Sequence, residues 1–288
     1  MRKRIGAPLA VIGATLALTV FPHSGFGVAA AIAQSPGAQP ALPDLIVDQA
    51  TLRQHWVVRV EDLPADFCSV QEGGITPGTH TLVRFTVSTP NIGDADLVVG
   101  DPNQHLNDGL FEFASCHNHY HFRHYALYEL VSPETGRVWR AAKRGFCMED
   151  SERFKGYTGD VDNNPRFRGC GAIGIPGNQG ISAGWTDIYN WKLGGQYFVL
   201  DGGDGQASVP PGQYVIRVTV NPGFIPAKGE ACRYQDPNRP RVCHQLPESD
   251  YENNVGQVTI TIPDHPGRQG VGPLKNQPAI AVEPIDGQ

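Results

Sequence analysis

Charged residues are scarce in this chain of 288 residues, and long hydrophobic stretches are absent beyond its N-terminus. Only 18% of the residues are charged, which excludes a coiled coil and a charge-rich disordered protein. The formal net charge is −6 and no basic patch stands out, so we expect no nucleic-acid partner. After residue 33 no segment reaches the ~20 apolar residues that a membrane helix needs, so we also expect no stable membrane association.

The N-terminal 33 residues have the three parts of a secretory signal peptide. Residues 2–4 are basic, residues 7–21 form an uncharged apolar run, and Ala31 and Ala33 are small residues at the −3 and −1 positions. The apolar run is too short for the alternative, a membrane anchor. We therefore predict cleavage after Ala33 and a secreted, extracellular protein. Its net charge changes from −6 to −9 because the removed segment holds three basic residues and no acidic ones.

Short alternating patterns dominate the rest of the chain, and helical periodicity is lacking. The 34 Gly and 24 Pro residues favour turns between short segments over long helices. In residues 214–220 one face carries Tyr, Ile and Val while the other includes Arg and Thr, which is typical of a half-buried strand. Strands are predicted at Asp44–Thr51, His55–Val60, Thr81–Thr89, Ala126–Val131, Gln196–Leu200, Gln213–Asn221 and Val255–Ile262.

These patterns predict an all-β fold, an antiparallel β-sandwich over residues 44–262 with few helices and long functional loops. Residues 145–195 are Gly-rich and weakly patterned, and we interpret them as a long loop. Residues 34–43 are expected to form a flexible lead-in, and residues 263–288 a disordered tail.

The strongest local motif places three histidines at alternate positions, His117, His119 and His121. On a straight strand the outer two would lie ~13 Å apart, so they reach one ion only if the segment bends. Three imidazoles suit copper or zinc, and an open coordination position permits catalysis, including that of a zinc hydrolase. The alternative is a strand face with solvated histidines.

Five ordered motifs resemble the lysyl oxidase family. Residues 115–121 (SCHNHYH) are similar to its copper-binding segment, residues 143–150 (KRGFCMED) to the segment with the cofactor lysine, and residues 178–189 (NQGISAGWTDIY) to the segment with the cofactor tyrosine. Residues 211–222 and 248–254 resemble its closing strands and turn. The resemblance covers about residues 44–262 and implies an Ig-like, lysyl-oxidase-type catalytic domain.

This resemblance implies copper ligands at His117, His119 and His121 and a lysine tyrosylquinone made from Lys143 and Tyr189. The implied activity is a copper-dependent oxidation of primary amines, including peptidyl lysine, by O₂. It yields an aldehyde, ammonia and hydrogen peroxide. The cofactor performs the difficult step and the protein orients it.

A general base is also needed, and the sequence offers two candidates, His124 as the first choice and Asp187 as the second. His124 lies close in sequence to the copper segment, and Asp187 precedes Tyr189 by two residues. The chain departs from the animal enzymes at Ala142, where they have His, and at Gly195, where they have Cys. These departures are compatible with copper and quinone chemistry. They argue for a substrate preference different from that of the animal enzymes.

The six cysteines are expected to form three disulfides in an oxidising compartment. The resemblance implies the pairs Cys68–Cys116 and Cys147–Cys170. Cys232 and Cys243 lie in a segment, about 223–246, that looks inserted relative to the family, and we expect them to pair with each other.

A final cluster of oxygen donors follows near the C-terminal strand. Glu248, Asp250, Asn253 and Asn254 suit calcium, which takes 6–8 oxygen ligands. The resemblance adds Asp44 and the carbonyl of Leu45, whereas the alternative is an Asx-rich hairpin turn. An extracellular calcium- or copper-binding module without turnover is therefore the second functional hypothesis.

Overall fold

A computed structural model describes residues 40–72, 75–203, 205–228 and 230–285. The predicted signal peptide and the lead-in up to residue 39 lie outside these ranges. Among the described residues, none of the helices has the length and apolar character required to cross a bilayer.

Strands joined by turns make up the described structure, with two short α-helices, α1 (Gln49–Gln54) and α2 (Cys68–Gln71), and a 3₁₀ turn at Pro102–Gln104. The first eight strands are β1 (Trp56–Leu63), β2 (Gly78–Phe85), β3 (Val87–Pro90), β4 (Leu97–Gly100), β5 (Phe111–Ala114), β6 (His119–Phe122), β7 (Ala126–Val131) and β8 (Val138–Arg140). The others are β9 (Glu152–Arg153), β10 (Gln179–Ile181), β11 (Trp185–Tyr189), β12 (Tyr197–Val199), β13 (Gly212–Val220), β14 (Tyr234–Gln235), β15 (Cys243–His244) and β16 (Val255–Ile262).

The largest sheet has the order β16-β13-β7-β8, and smaller sheets have the orders β1-β2-β12 and β3-β11-β9. Their strand pairs are antiparallel. In β13 the residues on one face, from Tyr214 to Val220, are buried while those between them are half-buried, as the alternation predicts. The predicted all-β fold is confirmed.

The larger of two hydrophobic clusters joins the β16-β13-β7-β8 sheet to the β1-β2-β12 sheet, and a smaller one surrounds Tyr197. Phe85 of β2 stacks on Phe198 of β12 at 5.0 Å and contacts Tyr128 of β7 edge-on at 5.3 Å. Ile216 and Val218 of β13 belong to the same buried cluster. Burial of these side chains from both sheets gives a sandwich, since each sheet hides its apolar face against the other.

The predicted strand over Asp44–Thr51 is wrong in its second half. Asp48 caps α1, because its carboxylate accepts hydrogen bonds from the Ala50 N–H at 2.9 Å and from the Thr51 hydroxyl at 2.7 Å. Only the first part is extended, with a bridge between Leu45 and Asn91. Likewise, residues 145–195 are not one structureless loop, since β9, β10 and β11 lie within them.

The expectation of a disordered tail is wrong for residues 263–285. Val58 and Val271 exchange two backbone hydrogen bonds of 2.9 Å, and the Val60 N–H donates to Gly267. The Arg59 guanidinium also donates to the carbonyl of Gln277. The tail thus pairs with the edge of β1 that β2 leaves open, which satisfies backbone groups that would otherwise face solvent.

The three expected disulfides are confirmed. They join Cys68 to Cys116, Cys147 to Cys170 and Cys232 to Cys243, with Cα–Cα distances of 5.5, 5.3 and 5.5 Å. These distances lie in the normal range for a disulfide.

Candidate metal and quinone site

The three histidines lie at the end of the β5–β6 hairpin. His119 and His121 share one face of β6 because side chains alternate along a strand. Asn118, with φ of 56°, turns the chain into the left-handed region and so bends the segment before β6. This is the bend that the spacing of the histidines required, and it brings His117 to the other two.

The imidazoles form one compact, buried group. Their ring centroids are 4.8 to 5.5 Å apart, and each side chain is 6 or 7% exposed. The Nδ1 atom of His117 is 3.1 Å from Nε2 of His121, and one nitrogen from each of the three rings lies within 4.8 Å of the others. Neutral imidazole nitrogens at this spacing can bind one copper or zinc ion together.

Gly145 sets how closely the neighbouring segment approaches these rings. Phe146 and Phe122 of β6 exchange backbone hydrogen bonds of 2.6 and 3.1 Å, so residues 143–147 run beside β6. A Cβ at Gly145 would lie 2.4 Å from Nδ1 of His121. Only glycine therefore fits at this position with the His121 ring where it is.

Lys143 and Tyr189 meet although 46 residues separate them. The Lys143 amine lies over the Tyr189 ring, 5.1 Å from its centroid, and the two side chains are 8% and 1% exposed. The Tyr189 hydroxyl donates to the carbonyl of Cys147 at 2.9 Å, and the Tyr189 ring contacts Phe146 edge-on at 5.1 Å. Both side chains are thus held with the amine above the face of the phenol ring.

The backbone of Lys143 is held from the opposite side by the turn before β12. Its N–H donates to the carbonyl of Gly195 at 2.8 Å. Gly195 has φ of +71°, and a Cβ there would lie 3.0 Å from the Lys143 nitrogen. A glycine at this position allows the close approach that a larger residue would resist.

A cavity of about 280 Å³ connects the histidines with Lys143. Its lining combines two histidines, a lysine, an arginine and two glutamates with small residues: Cys68, Ser69, Glu72, Glu112, His117, His121, Ala142, Lys143, Arg144, Gly145, Gly194 and Gly195. A small polar molecule that enters the cavity therefore reaches His117, His121 and Lys143.

The two candidate bases occupy different surroundings. Neither of them lines the cavity. His124 lies at the surface, and partial desolvation together with the charge of Arg123 lowers its pKa. Asp187 is 2% exposed and shares a face of β11 with Tyr189. Burial raises the pKa of Tyr125 well above its usual value, and the carboxylate of Asp187 adds to this. The ring of Tyr125 is 6.0 Å from that of Tyr189, so Asp187 belongs to the surroundings of the phenol ring.

The predicted calcium ligands also converge, but Glu248 is engaged by N–H donors. It accepts hydrogen bonds from Leu45 N–H at 2.7 Å and from the amides of Asn221 and Asn254 at 2.6 and 2.8 Å. Burial nevertheless raises the pKa of Glu248 to about 8. Its hydrogen bonds therefore connect the extended segment at Leu45 with the turn at residues 248–254.

The other members of this group leave oxygen atoms available. The Asn253 amide donates to Asp44 at 2.9 Å, whereas the Oδ1 atoms of Asn253 and Asn254 are buried and have no hydrogen-bond donor in the described part of the chain. Burial raises the pKa of Asp44, and the negative charge of Asp250 contributes to this. A cation would relieve both effects.

Sequence reasoning missed three residues at the site: Glu72, Gly145 and Phe146. Gly145 and Phe146 fall inside the segment that resembles the family, but their contacts with His121 and Tyr189 depend on the fold. Glu72 reaches the histidines because the Cys68–Cys116 disulfide joins α2 to the residue before His117.

Comparison with known proteins places this geometry in a family. Residues 64–231 match the lysyl oxidase family. The chain belongs to the lysyl oxidase family. It is 27% identical to protein-lysine 6-oxidase of Sus scrofa over an alignment of 241 residues that covers 79% of each chain. Its identity to the Homo sapiens protein-lysine 6-oxidase is 27% over 239 residues, and to lysyl oxidase homolog 2 of Rattus norvegicus it is 26% over 248 residues. The aligned regions span 47% and 26% of those two relatives. Membership supports an oxidase function of the lysyl oxidase type.

Proposed function

We propose that this protein is a secreted, copper-dependent amine oxidase whose quinone cofactor forms from Lys143 and Tyr189. The observation that carries the proposal is the Lys143 amine, 5.1 Å from the centroid of the Tyr189 ring in a site that also holds three clustered histidines. A binding module has no need of a buried lysine positioned over a buried tyrosine.

The donor set fits copper. His117, His119 and His121 offer three neutral nitrogen ligands within 4.8 Å of one another, and imidazole is a preferred ligand of copper. When bound, copper supplies the oxidation of the tyrosine by O₂, and the mature quinone supplies an electron sink for the oxidation of a primary amine.

Lys143 and Tyr189 have the positions that a cross-link needs. The ammonium of Lys143 approaches the ring from its face, and rotation about the lysine side-chain bonds can close the remaining distance. The hydrogen bond from the Tyr189 hydroxyl to Cys147 fixes one edge of the ring, while Phe146 limits its tilt. The backbone bond from Lys143 to Gly195 anchors the other partner.

Asp187 is the proposed general base. It shares a strand face with Tyr189 and is buried in the same core, whereas His124 is exposed at the surface. A base must lie within hydrogen-bond reach of the proton that it removes. We therefore expect Asp187→Asn to preserve quinone formation and to lower amine turnover by ~10²–10⁴-fold.

The substrate is proposed to be a primary amine, either small or a lysine side chain of a protein or peptide, with O₂ as the second substrate. The cavity of about 280 Å³ admits an unbranched alkylamine. Secretion rests on the predicted signal peptide and agrees with the three disulfides. Calcium is proposed to bind Asp44, the Leu45 carbonyl, Asp250, Asn253 and Asn254, with Glu248 as their brace.

The test is to load the secreted protein with copper under air. We expect a visible quinone band that reacts with a carbonyl reagent, and hydrogen peroxide on addition of a simple primary amine. Tyr189→Phe removes the oxidisable phenol, so it should bind copper but lose the band and turnover. Lys143→Ala should stop cofactor formation after the tyrosine is oxidised, and His119→Ala should lose copper.

Matched controls separate these roles from general damage. Tyr125→Phe alters a second buried tyrosine 6.0 Å away, and Lys192→Ala alters a lysine beside Trp191. Both should retain the quinone. Amine oxidation by Tyr189→Phe, or neither quinone nor peroxide from the copper-loaded wild type, would contradict the proposal and favour the binding-module hypothesis.

A further inference from the structure

A carboxylate lies beside the three histidines. Glu72 follows α2 directly, and the Cys68–Cys116 disulfide joins the first residue of α2 to the residue before His117. The Glu72 Oε1 atom accepts a hydrogen bond from the Cys116 N–H at 2.6 Å. The side chain is 27% exposed and lines the same cavity as His117 and His121. One oxygen is thus anchored on the backbone while the carboxylate faces the site.

The distances fit a shared ion. Two ligand atoms with bonds of ~2.0–2.1 Å to one ion lie at most ~4.2 Å apart, and ~3.1 Å apart at an angle near 100°. His117 Nδ1 and His121 Nε2, 3.1 Å apart, meet this condition. The Oε2 atom of Glu72 is 3.9 Å from the same Nδ1 atom, which is also within the limit.

The charges of the cavity favour a carboxylate at this centre. Three neutral imidazoles leave the full charge of a divalent cation uncompensated, and Lys143 and Arg144 add positive charge to the same cavity. Glu112 is the other carboxylate of the lining, but it is 49% exposed and lies 3.6 Å from Arg123. Glu72 is therefore the acidic group best placed to offset the charge of the ion.

We propose that Glu72 is the fourth protein group of the metal centre, with Oε2 facing the ion while Oε1 remains on the Cys116 N–H. The inference rests on the proposed three-histidine centre and adds a residue to it. It also gives the Cys68–Cys116 disulfide a direct role, since that bond brings Glu72 to the histidines.

The test compares Glu72→Gln with wild type in the full secreted chain, with Cu²⁺ as the probe. Glutamine can still accept the Cys116 hydrogen bond through its amide oxygen, but it brings no negative charge. We expect the dissociation constant for Cu²⁺, measured against a competing chelator, to rise ~10–100-fold. The Cu²⁺ electron paramagnetic resonance spectrum should change as well. Glu112→Gln is the matched control and should keep the wild-type affinity and spectrum.

Wild-type affinity together with a wild-type spectrum in Glu72→Gln would overturn the inference. If the three histidines did not bind copper at all, the result would be different, because His119→Ala would then bind Cu²⁺ with wild-type affinity. Thiol counts and thermal melts verify that each variant is folded and oxidised. If Glu72→Gln does not fold, Glu72→Asp is the second variant, because its side chain is shorter by one methylene and its carboxylate lies farther from the histidines. Wild-type Cu²⁺ affinity and a wild-type spectrum in Glu72→Asp would also overturn the inference.

Discussion

Replacing Gly145 by alanine tests whether the approach of the neighbouring segment sets the position of His121. The new Cβ would lie 2.4 Å from His121 Nδ1 and 2.7 Å from its Cβ and Cγ. Carbon atoms in contact prefer ~3.5–4.0 Å, so the ring or the segment must shift by about 1 Å. Metal sites tolerate only ~0.2 Å in ligand distance. We therefore expect Cu²⁺ affinity to fall by at least ~10-fold, together with a loss of ~1–3 kcal/mol in stability from overpacking.

Two measurements on Gly145→Ala separate these effects. Competition with a chelator gives the dissociation constant for Cu²⁺, and chemical denaturation of the metal-free protein gives the free energy of unfolding. Gly169→Ala is the control, because its Cβ would lie 3.4 Å from the Asn178 nitrogen, an ordinary contact. Copper binding by Gly145→Ala with wild-type affinity would refute the reasoning, since the ring position would then not depend on this glycine.

Three further predictions concern the ties between distant segments. Ca²⁺ should raise the melting temperature of the wild type by binding only the folded state, and Asp250→Ala should abolish that rise. Burial raises the pKa of Glu248 to about 8, so between about pH 5 and 8 its carboxyl ionises only in the unfolded chain. The calcium-free protein should therefore lose stability as the pH rises through this range. Glu248→Gln should remove most of this pH dependence in thermal melts. Glu283→Ala should lower the free energy of unfolding by ~1–3 kcal/mol in denaturant titrations, because it removes the carboxylate that accepts hydrogen bonds from the N–H and the hydroxyl of Ser69.

Strands with a clear alternating pattern could be predicted from the sequence with accurate limits. The predictions for β7 and β16 coincide with the observed strands. In β16 the buried residues alternate with exposed ones, and both strands end where polar or turn-forming residues begin. The segment over Asp44–Thr51 shows the limit of this approach, because the cap that Asp48 provides to α1 outweighs the extended pattern before it.

The tail could not be predicted because its order comes from its partner. Residues 263–285 have no alternation of their own, and the backbone hydrogen bonds that tie them to the rest of the protein go to β1. The pattern of side chains in a sequence indicates which face of a segment is apolar. Pairing with an open sheet edge uses backbone N–H and C=O groups, which nearly every residue carries, so it leaves no such pattern.

The site was predictable where chemistry is concentrated in one segment. The spacing of His117, His119 and His121 indicated a metal site and required a bend, which Asn118 provides. Glu72 gave no such signal, because a single glutamate with no other candidate ligand beside it in the sequence is common on any protein surface. Its place beside the histidines depends on a disulfide across 48 residues.

The ties around the cavity suggest why it keeps its shape with so little regular structure. The Cys68–Cys116 disulfide fixes α2 to the histidine segment. Ser69, in the same helix, donates a hydrogen bond to the buried carboxylate of Glu283 in the tail. The same carboxylate packs closely against Gly194, because a Cβ added to this glycine would lie 3.1 Å from it. The adjacent residue of that turn, Gly195, accepts the hydrogen bond from the Lys143 N–H. One disulfide, the hydrogen bonds from Ser69 to Glu283 and the close approach of Glu283 to Gly194 thus connect the three-histidine segment with Lys143 through the tail. Removal of the tail should therefore disturb the site as well as β1.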